Sequence, residues 1–160
     1  MINEGGFGGH GAEGASTIAD LITEKYTHYC CAVGTGTMMA GLIRATSTGE
    51  RVIGIPVMKN NHQLEENVRL LLDEDQLNWQ IQHDYHFGGY AKHAPELLGF
   101  MNELYLKTSV PTDFVYTGKL FYAVRHLACN GYFPLGSRLL IIHSGGLQGN
   151  DSLKKGTLIF

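Results

Sequence analysis

Apolar residues along this chain follow helical and strand rhythms in turn. Ala15, Ile18, Ala19, Ile22 and Tyr26 recur at helical spacing and predict a helix behind a glycine-rich lead over residues 1–14. Tyr29-Cys30-Cys31-Ala32-Val33 is a short apolar run closed by glycine, the pattern of a buried strand. Gly34 to Gly36 predict a turn, and Met38, Met39 and Leu42 a helix after it. Arg51 to Met58, with Val52, Ile53, Ile55 and Val57, predicts a second strand. Val68, Leu71 and Leu72 belong to a further helix with Glu65 and Glu66 near its start, and Leu77, Trp79 and Ile81 alternate as a strand. Residues 83–93 form a polar, aromatic loop. Leu97, Leu98, Met101, Leu104 and Tyr105 predict another helix, and Pro111 ends that region. Val115 to Lys119 turn into a helix through Leu120, Val124 and Leu127, and Arg138 to His143 predict a last strand running into Ser144-Gly145-Gly146.

Strands that alternate with helices imply an α/β fold, an open twisted sheet that is mainly parallel with helices on both faces. The order reads helix, strand, helix, strand, helix, strand, helix, helix, strand. No internal repeat or low-complexity linker divides the chain, so residues 1–160 are taken as one domain, long enough to bury a core.

Composition narrows the classes. Hydrophobic residues make up 44% and charged residues 17%, which suits a globular chain and not a disordered one. The formal net charge is −3 and the only basic pair in sequence is Lys154-Lys155, so no nucleic-acid or anionic-membrane partner is expected. Apolar runs such as Leu139 to Ile142 are far too short to span a bilayer. Met1 to Gly6 show neither a charged n-region nor an apolar h-region, and the expectation is a cytoplasmic protein. Cys30, Cys31 and Cys129 form no disulfide framework and no CxxC pair; all three are read as reduced core residues, with Cys30 and Cys31 on opposite faces of their strand. His83, His86 and His93 suit neither a zinc ribbon nor a His-x-x-x-His helix pair, so no metal is expected.

Glycine changes the picture most. The 21 glycines cluster at Gly5–Gly14, Gly34–Gly41, Gly88–Gly89, Gly118 and Gly145–Gly149. Such clusters mark sharp turns or close backbone approach. In an open α/β sheet, ligands sit beyond the carboxyl ends of the strands. Gly34-Thr35-Gly36-Thr37, the His83–Tyr90 loop and Ser144-Gly145-Gly146 all fall there. The first runs from a buried strand into a helix, where backbone N–H groups and threonine hydroxyls can receive a phosphate. It lacks the Gly-Lys-Ser/Thr ending of a Walker loop, and Gly34, Gly36 and Gly41 miss the GxGxxG spacing. On spacing alone, an empty strand–helix turn explains it as well as a phosphate site does.

Three further segments carry a resemblance. Asp113-Phe114-Val115-Tyr116-Thr117-Gly118-Lys119 is followed by Gly131-Tyr132-Phe133-Pro134-Leu135-Gly136-Ser137 and then by His143-Ser144-Gly145-Gly146. Together with Asn3-Glu4-Gly5-Gly6 and Gly34–Leu42, in this order and spacing, the chain resembles the carboxy-terminal part of the 1-aminocyclopropane-1-carboxylate deaminase / D-cysteine desulfhydrase family. Those enzymes carry D-P-V-Y-[TE]-G-K, G-x-F-P-x-G-S, H-[TL]-G-G and P-E-G-G segments. The departures are Phe114 for proline, Ser144 for threonine, and Met38 where the loop usually holds a polar residue.

The resemblance implies the large domain of a fold-type-II pyridoxal 5′-phosphate (PLP) enzyme, incomplete at its amino-terminal side. It implies a small amino-acid substrate, release of ammonia by ring opening or α,β-elimination, and a homodimer or pairing with the missing amino-terminal segment. It assigns Gly34, Thr35, Gly36 and Thr37 to the cofactor phosphate and Ser144 to the pyridine nitrogen. Thr117 stands where the strict deaminase has glutamate, which leans the chain towards the desulfhydrase branch. Tyr116 and Tyr90 match active-site tyrosines; acid–base or nucleophilic use would need a lowered pKa. Family members carry the cofactor-bonding lysine far upstream in a G-N-K-x-R-K segment, which this sequence does not contain. Lys119 is expected to be structural. The chain is therefore read as part of a PLP-dependent deaminase or carbon–sulfur lyase; alternatively it is a non-catalytic PLP- or phosphate-binding fragment, half of a split enzyme, or a self-associating fragment.

Overall fold

A computed structural model describes residues 3–72 and 76–160; Met1 and Ile2 of the leader reading lie outside them. Four strands, β1 (His28–Val33), β2 (Arg51–Pro56), β3 (Trp79–Ile81) and β4 (Leu139–Ile141), form one sheet in the order β3-β2-β1-β4. Every pairing is parallel; His28 lies opposite Arg51 on one side and Leu139 on the other. Helices α1 (Gly9–Ser16), α2 (Thr37–Ala45), α3 (Leu64–Leu70), α4 (Pro95–Thr108) and α5 (Thr117–Cys129) complete the expected order.

The sheet is covered on both faces. Tyr29, Cys31, Val33 and Val52 pack with Met39, Leu42, Ile43 and Val68 on one side. Cys30, Ala32, Ile53 and Ile55 pack with Leu120, Ala123, Val124 and Leu127 on the other. Cys30 and Cys31 thus face opposite layers, as strand alternation requires. A third cluster, with Leu97, Met101, Phe114 and Val115, ties α4 to the start of α5. No helix among the described residues is long and apolar enough to cross a membrane.

Two expectations change. The first helix begins at Gly9, inside the glycine-rich lead, and ends at Ser16; a 3-10 turn follows over Thr17–Leu21. The cause is close packing. A Cβ on Gly41 of α2 would come within 2.5 Å of Ala12 O and 2.6 Å of Ala15 Cβ, so small residues let α1 and α2 approach backbone to backbone. Ser16 and Thr17 then turn their hydroxyls back to Glu13 O and Gly14 O, both at 2.7 Å, at the helix end. Second, Cys129 is exposed, because it closes α5 on the side away from the sheet, while Cys30 and Cys31 are buried.

Candidate functional site

Beyond the carboxyl ends of β1 and β2 lies a cavity of about 490 Å³. Its floor is apolar, made by Ala32, Val33, Val57 and Met58. Its polar rim comes from Gly34 to Thr37, Tyr90, Tyr116 and Ser144. Seven of the eight residues singled out in the sequence therefore meet at one cavity, drawn from four segments far apart in the chain.

The Gly34–Thr37 loop forms the start of α2. Gly36 is the N-cap residue at φ 97°, in the left-handed region, and no side chain caps the helix. Its position is also tight: a Cβ there would meet Val68 Cγ2 at 2.9 Å. The first-turn N–H groups that an α-helix leaves without intrahelical partners carry the positive end of the helix dipole. Thr35 Oγ1 and Thr37 Oγ1 lie 2.9 Å apart. Two hydroxyls and an uncapped helix start form a donor set suited to a phosphate. Met38 contributes an apolar side chain to the lining at the position where the resemblance leads one to expect a polar group.

Across the cavity stand the two tyrosines, with ring centroids 6.0 Å apart and planes at 76°. Tyr116 is partly buried just ahead of α5, while Tyr90 is exposed. Burial, reinforced by Tyr90 and by the charges of Asp113 and Glu4, pushes the Tyr116 phenol up to about 12. The surroundings that this chain supplies therefore keep Tyr116 protonated, a hydrogen-bond donor and not a base. Ser144 is exposed at the rim, on the segment leaving β4. The preceding His143 donates from Nε2 to Pro111 O at 2.8 Å and accepts from Gly145 N at Nδ1, which fixes the segment's path.

Thr117 is the residue that does not reach the cavity. It is fully buried, and its hydroxyl donates to Asp113 Oδ1 at 2.7 Å while accepting from Asp113 N at 2.8 Å. Asp113 organises the whole turn. Oδ2 accepts from Val115 N and Tyr116 N, and Oδ1 also accepts from Thr117 N, at 2.8 to 2.9 Å. Sequence reasoning quoted Asp113 only as part of a motif. The available signal was an aspartate just ahead of a helix start, the usual place for a side-chain cap. Lys119 is buried with it and lies outside the cavity lining. Glu4 and Gly5 were quoted only as a segment resemblance; the fold brings both into the lining, with Gly5 packed against Thr35.

His83 is paired with Glu65 at 2.6 Å, and among the described residues no group of three or more His, Cys, Asp or Glu could hold a metal ion.

No family model matches the chain. A Pyrococcus abyssi protein named "Putative 1-aminocyclopropane-1-carboxylate deaminase" is 33% identical over 129 residues, 74% of this chain and 38% of that protein. The 1-aminocyclopropane-1-carboxylate deaminase of Rhizobium leguminosarum bv. viciae is 30% identical over 158 residues, 88% of this chain and 45% of the enzyme. A crystal structure of an ACC deaminase homologue superposes with a TM-score of 0.78 at 28% identity, covering 93% of this chain and 50% of the other. The chain thus spans less than half the length of these curated relatives. With the order of its motifs, its parallel sheet and these likenesses in agreement, the chain belongs to the 1-aminocyclopropane-1-carboxylate deaminase family over the span that it covers.

Proposed function

We propose that the cavity is the phosphate-and-ring side of a PLP site, and that the chain works as part of a PLP-dependent deaminase or carbon–sulfur lyase acting on a small amino acid with release of ammonia. The observation that carries this reading is the uncapped start of α2 with its two threonine hydroxyls, opening into a cavity with an apolar floor. A planar aromatic cofactor bearing a phosphate matches that combination of donors at one end and apolar surface beneath.

When bound, PLP acts as an electron sink for bonds to the substrate's α-carbon. In this reading Gly34, Thr35, Gly36 and Thr37 hold the phosphate. Ser144 faces the ring edge as a neutral hydroxyl, in keeping with the desulfhydrase branch. Tyr116, held protonated, offers its phenol proton to substrate across the cavity, and Tyr90 packs against it at the open side. Thr117 acts through Asp113 on the turn that presents Tyr116, and not on the cofactor itself. Among the described residues no lysine lines the cavity, so the chain alone is expected to bind PLP without turning substrate over.

Equilibrium titration with PLP tests the binding, followed by borohydride reduction and intact mass. The expected result is saturable binding that Thr35→Ala weakens about tenfold, the order of one lost hydrogen bond to a charged group, with no single stoichiometric covalent adduct. Binding indifferent to Thr35→Ala would remove the loop from the site. One adduct on one lysine would mean that the chain supplies its own bonding lysine.

A further inference from the structure

Lys119 has no part in the cavity, yet its side chain is completely buried. A buried ammonium requires partners, and here they are backbone carbonyls. Nζ donates to Gly89 O at 2.7 Å, His86 O at 2.9 Å and Val57 O at 3.4 Å. An ammonium has three donors and no acceptor, so three converging carbonyls are the set that satisfies it.

Those carbonyls belong to separate segments. Val57 directly follows β2. His86 and Gly89 bracket a turn whose backbone is unusual: Phe87, Gly88, Gly89 and Ala91 have φ of 51°, 94°, 119° and 51°. Two of these are non-glycine residues in the left-handed region, which costs conformational energy and persists where surrounding contacts impose it. The turn's own hydrogen bonds are few: Gly89 N to His86 O, Gly88 N to His86 Nδ1 and Lys92 N to Gly89 O. Tyr90 follows Gly89 directly, and Tyr116 lies three residues before Lys119 at the same helix start.

We propose that Lys119 is a positioning residue, whose ammonium clamps the His86–Gly89 turn to the end of β2 and so holds Tyr90 against Tyr116 at the rim of the cavity. Burial lowers its pKa to about 8 while Asp113 pulls the other way, so near neutrality the ammonium, with all three donors, predominates. An apolar side chain of equal length would fill the same space and remove all three of these bonds, leaving His86 O and Gly89 O only the turn's own amide donors. The clamp is a property of this chain alone; only its consequence for substrate rests on the cavity being the PLP site.

The test is NMR on the whole chain, comparing wild type, Lys119→Met and Lys119→Arg. In Lys119→Met, the Gly88, Gly89 and Lys92 amides should exchange about tenfold faster or more, the scale of losing buried charge-assisted hydrogen bonds, while β1 amides stay as protected as before. Contacts between the Tyr90 and Tyr116 rings should disappear, and Lys119→Arg should restore part of both. Unchanged exchange in the turn with ring contacts intact would overturn the clamp. Equal acceleration throughout the chain would reduce Lys119 to a general stabiliser and overturn it too. A measurement on the wild type needs no variant to fold. Slowly exchanging Lys119 Nζ protons with cross-peaks to residues of the turn are expected at mildly acidic pH, and an ammonium averaged with water would sink the proposal. Failure of PLP to bind wild type would remove the cofactor reading and leave the clamp standing.

Discussion

At the scale of single residues, two buried polar groups matter more than any rim residue for building the site. Asp113 receives backbone hydrogen bonds from Val115, Tyr116 and Thr117 and a fourth from the Thr117 hydroxyl. Asp113→Ala leaves several buried donors unpaired and should destabilise the chain by about 2–4 kcal/mol, with Tyr116 losing its fixed position. Urea denaturation measures the first, and loss of Tyr90–Tyr116 ring contacts the second; a change below about 0.5 kcal/mol would contradict the anchoring role. Lys119 sets a pH dependence of opposite sign to that of the buried thiols. Burial holds its folded pKa at about 8, below the ordinary lysine value of 10.5, so from about 8 to 10.5 the unfolded state holds a proton that the folded state lacks, and stability rises with pH. Burial raises Cys30 from 9.0 to about 12 and raises Cys31 as well, so their contribution is present below pH 9 and lost above it. Stability should therefore peak near pH 9. Between about pH 7 and 9 the wild type should gain about 1 kcal/mol relative to Lys119→Met, read from denaturation midpoints at each pH. A parallel pH profile for the two proteins would show that the amine is not titrating in this range.

At the scale of elements, the site depends on how closely α1, α2 and their loops approach. Gly41→Ala adds a methyl where Ala12 O and Ala15 Cβ stand at 2.5 and 2.6 Å, and backbone must move to admit it. The better helix propensity of alanine is worth about 1 kcal/mol, and overpacking of this kind costs about 1–3 kcal/mol, so the balance should be destabilising. A thermal midpoint equal to or above that of the wild type would contradict the close crossing. Gly36→Asp tests the loop itself. It puts a side chain at φ 97° against Val68 and a negative charge at the helix start proposed to hold the phosphate, so PLP affinity should fall more than with Thr35→Ala. The helix boundary at the glycine-rich lead shows what periodicity alone misses. Gly9, Gly11 and Gly14 look like turn residues in isolation; the tertiary reason for small residues in this helix sits at Gly11, where a Cβ would meet Gly6 O at 2.0 Å and Thr37 Cγ2 of α2 at 2.9 Å, and at Ala12 and Ala15 against Gly41.

At the scale of the whole molecule, β4 pairs with β1 on one side, and its three residues are only half buried, whereas the residues of β1 are all buried. Leu21, ahead of β1 in sequence, and Leu135, ahead of β4, are exposed, at 80% and 105%. Edge strands and exposed apolar side chains each favour association. Sizing over a wide concentration range should show a shift from monomer to larger species, and a single concentration-independent monomer would remove self-association from the readings of this chain.

The sequence by itself determined the alternation of elements and the fold class, because buried parallel strands must be apolar runs and their helices must show a helical stripe. It also marked the Gly34–Thr37 loop, because glycine and hydroxyl residues after a strand end are locally recognisable, whereas Tyr90, Tyr116 and Ser144 stood out through their match to family segments. It did not determine that Asp113 and Thr117 would be spent on each other, that Cys129 would face solvent, or that Lys119 would gather three carbonyls. Those depend on contacts between segments distant in the chain, such as Lys119 with Val57 and with Gly89. The tertiary structure decided them because a buried polar group must find partners wherever the fold happens to place them.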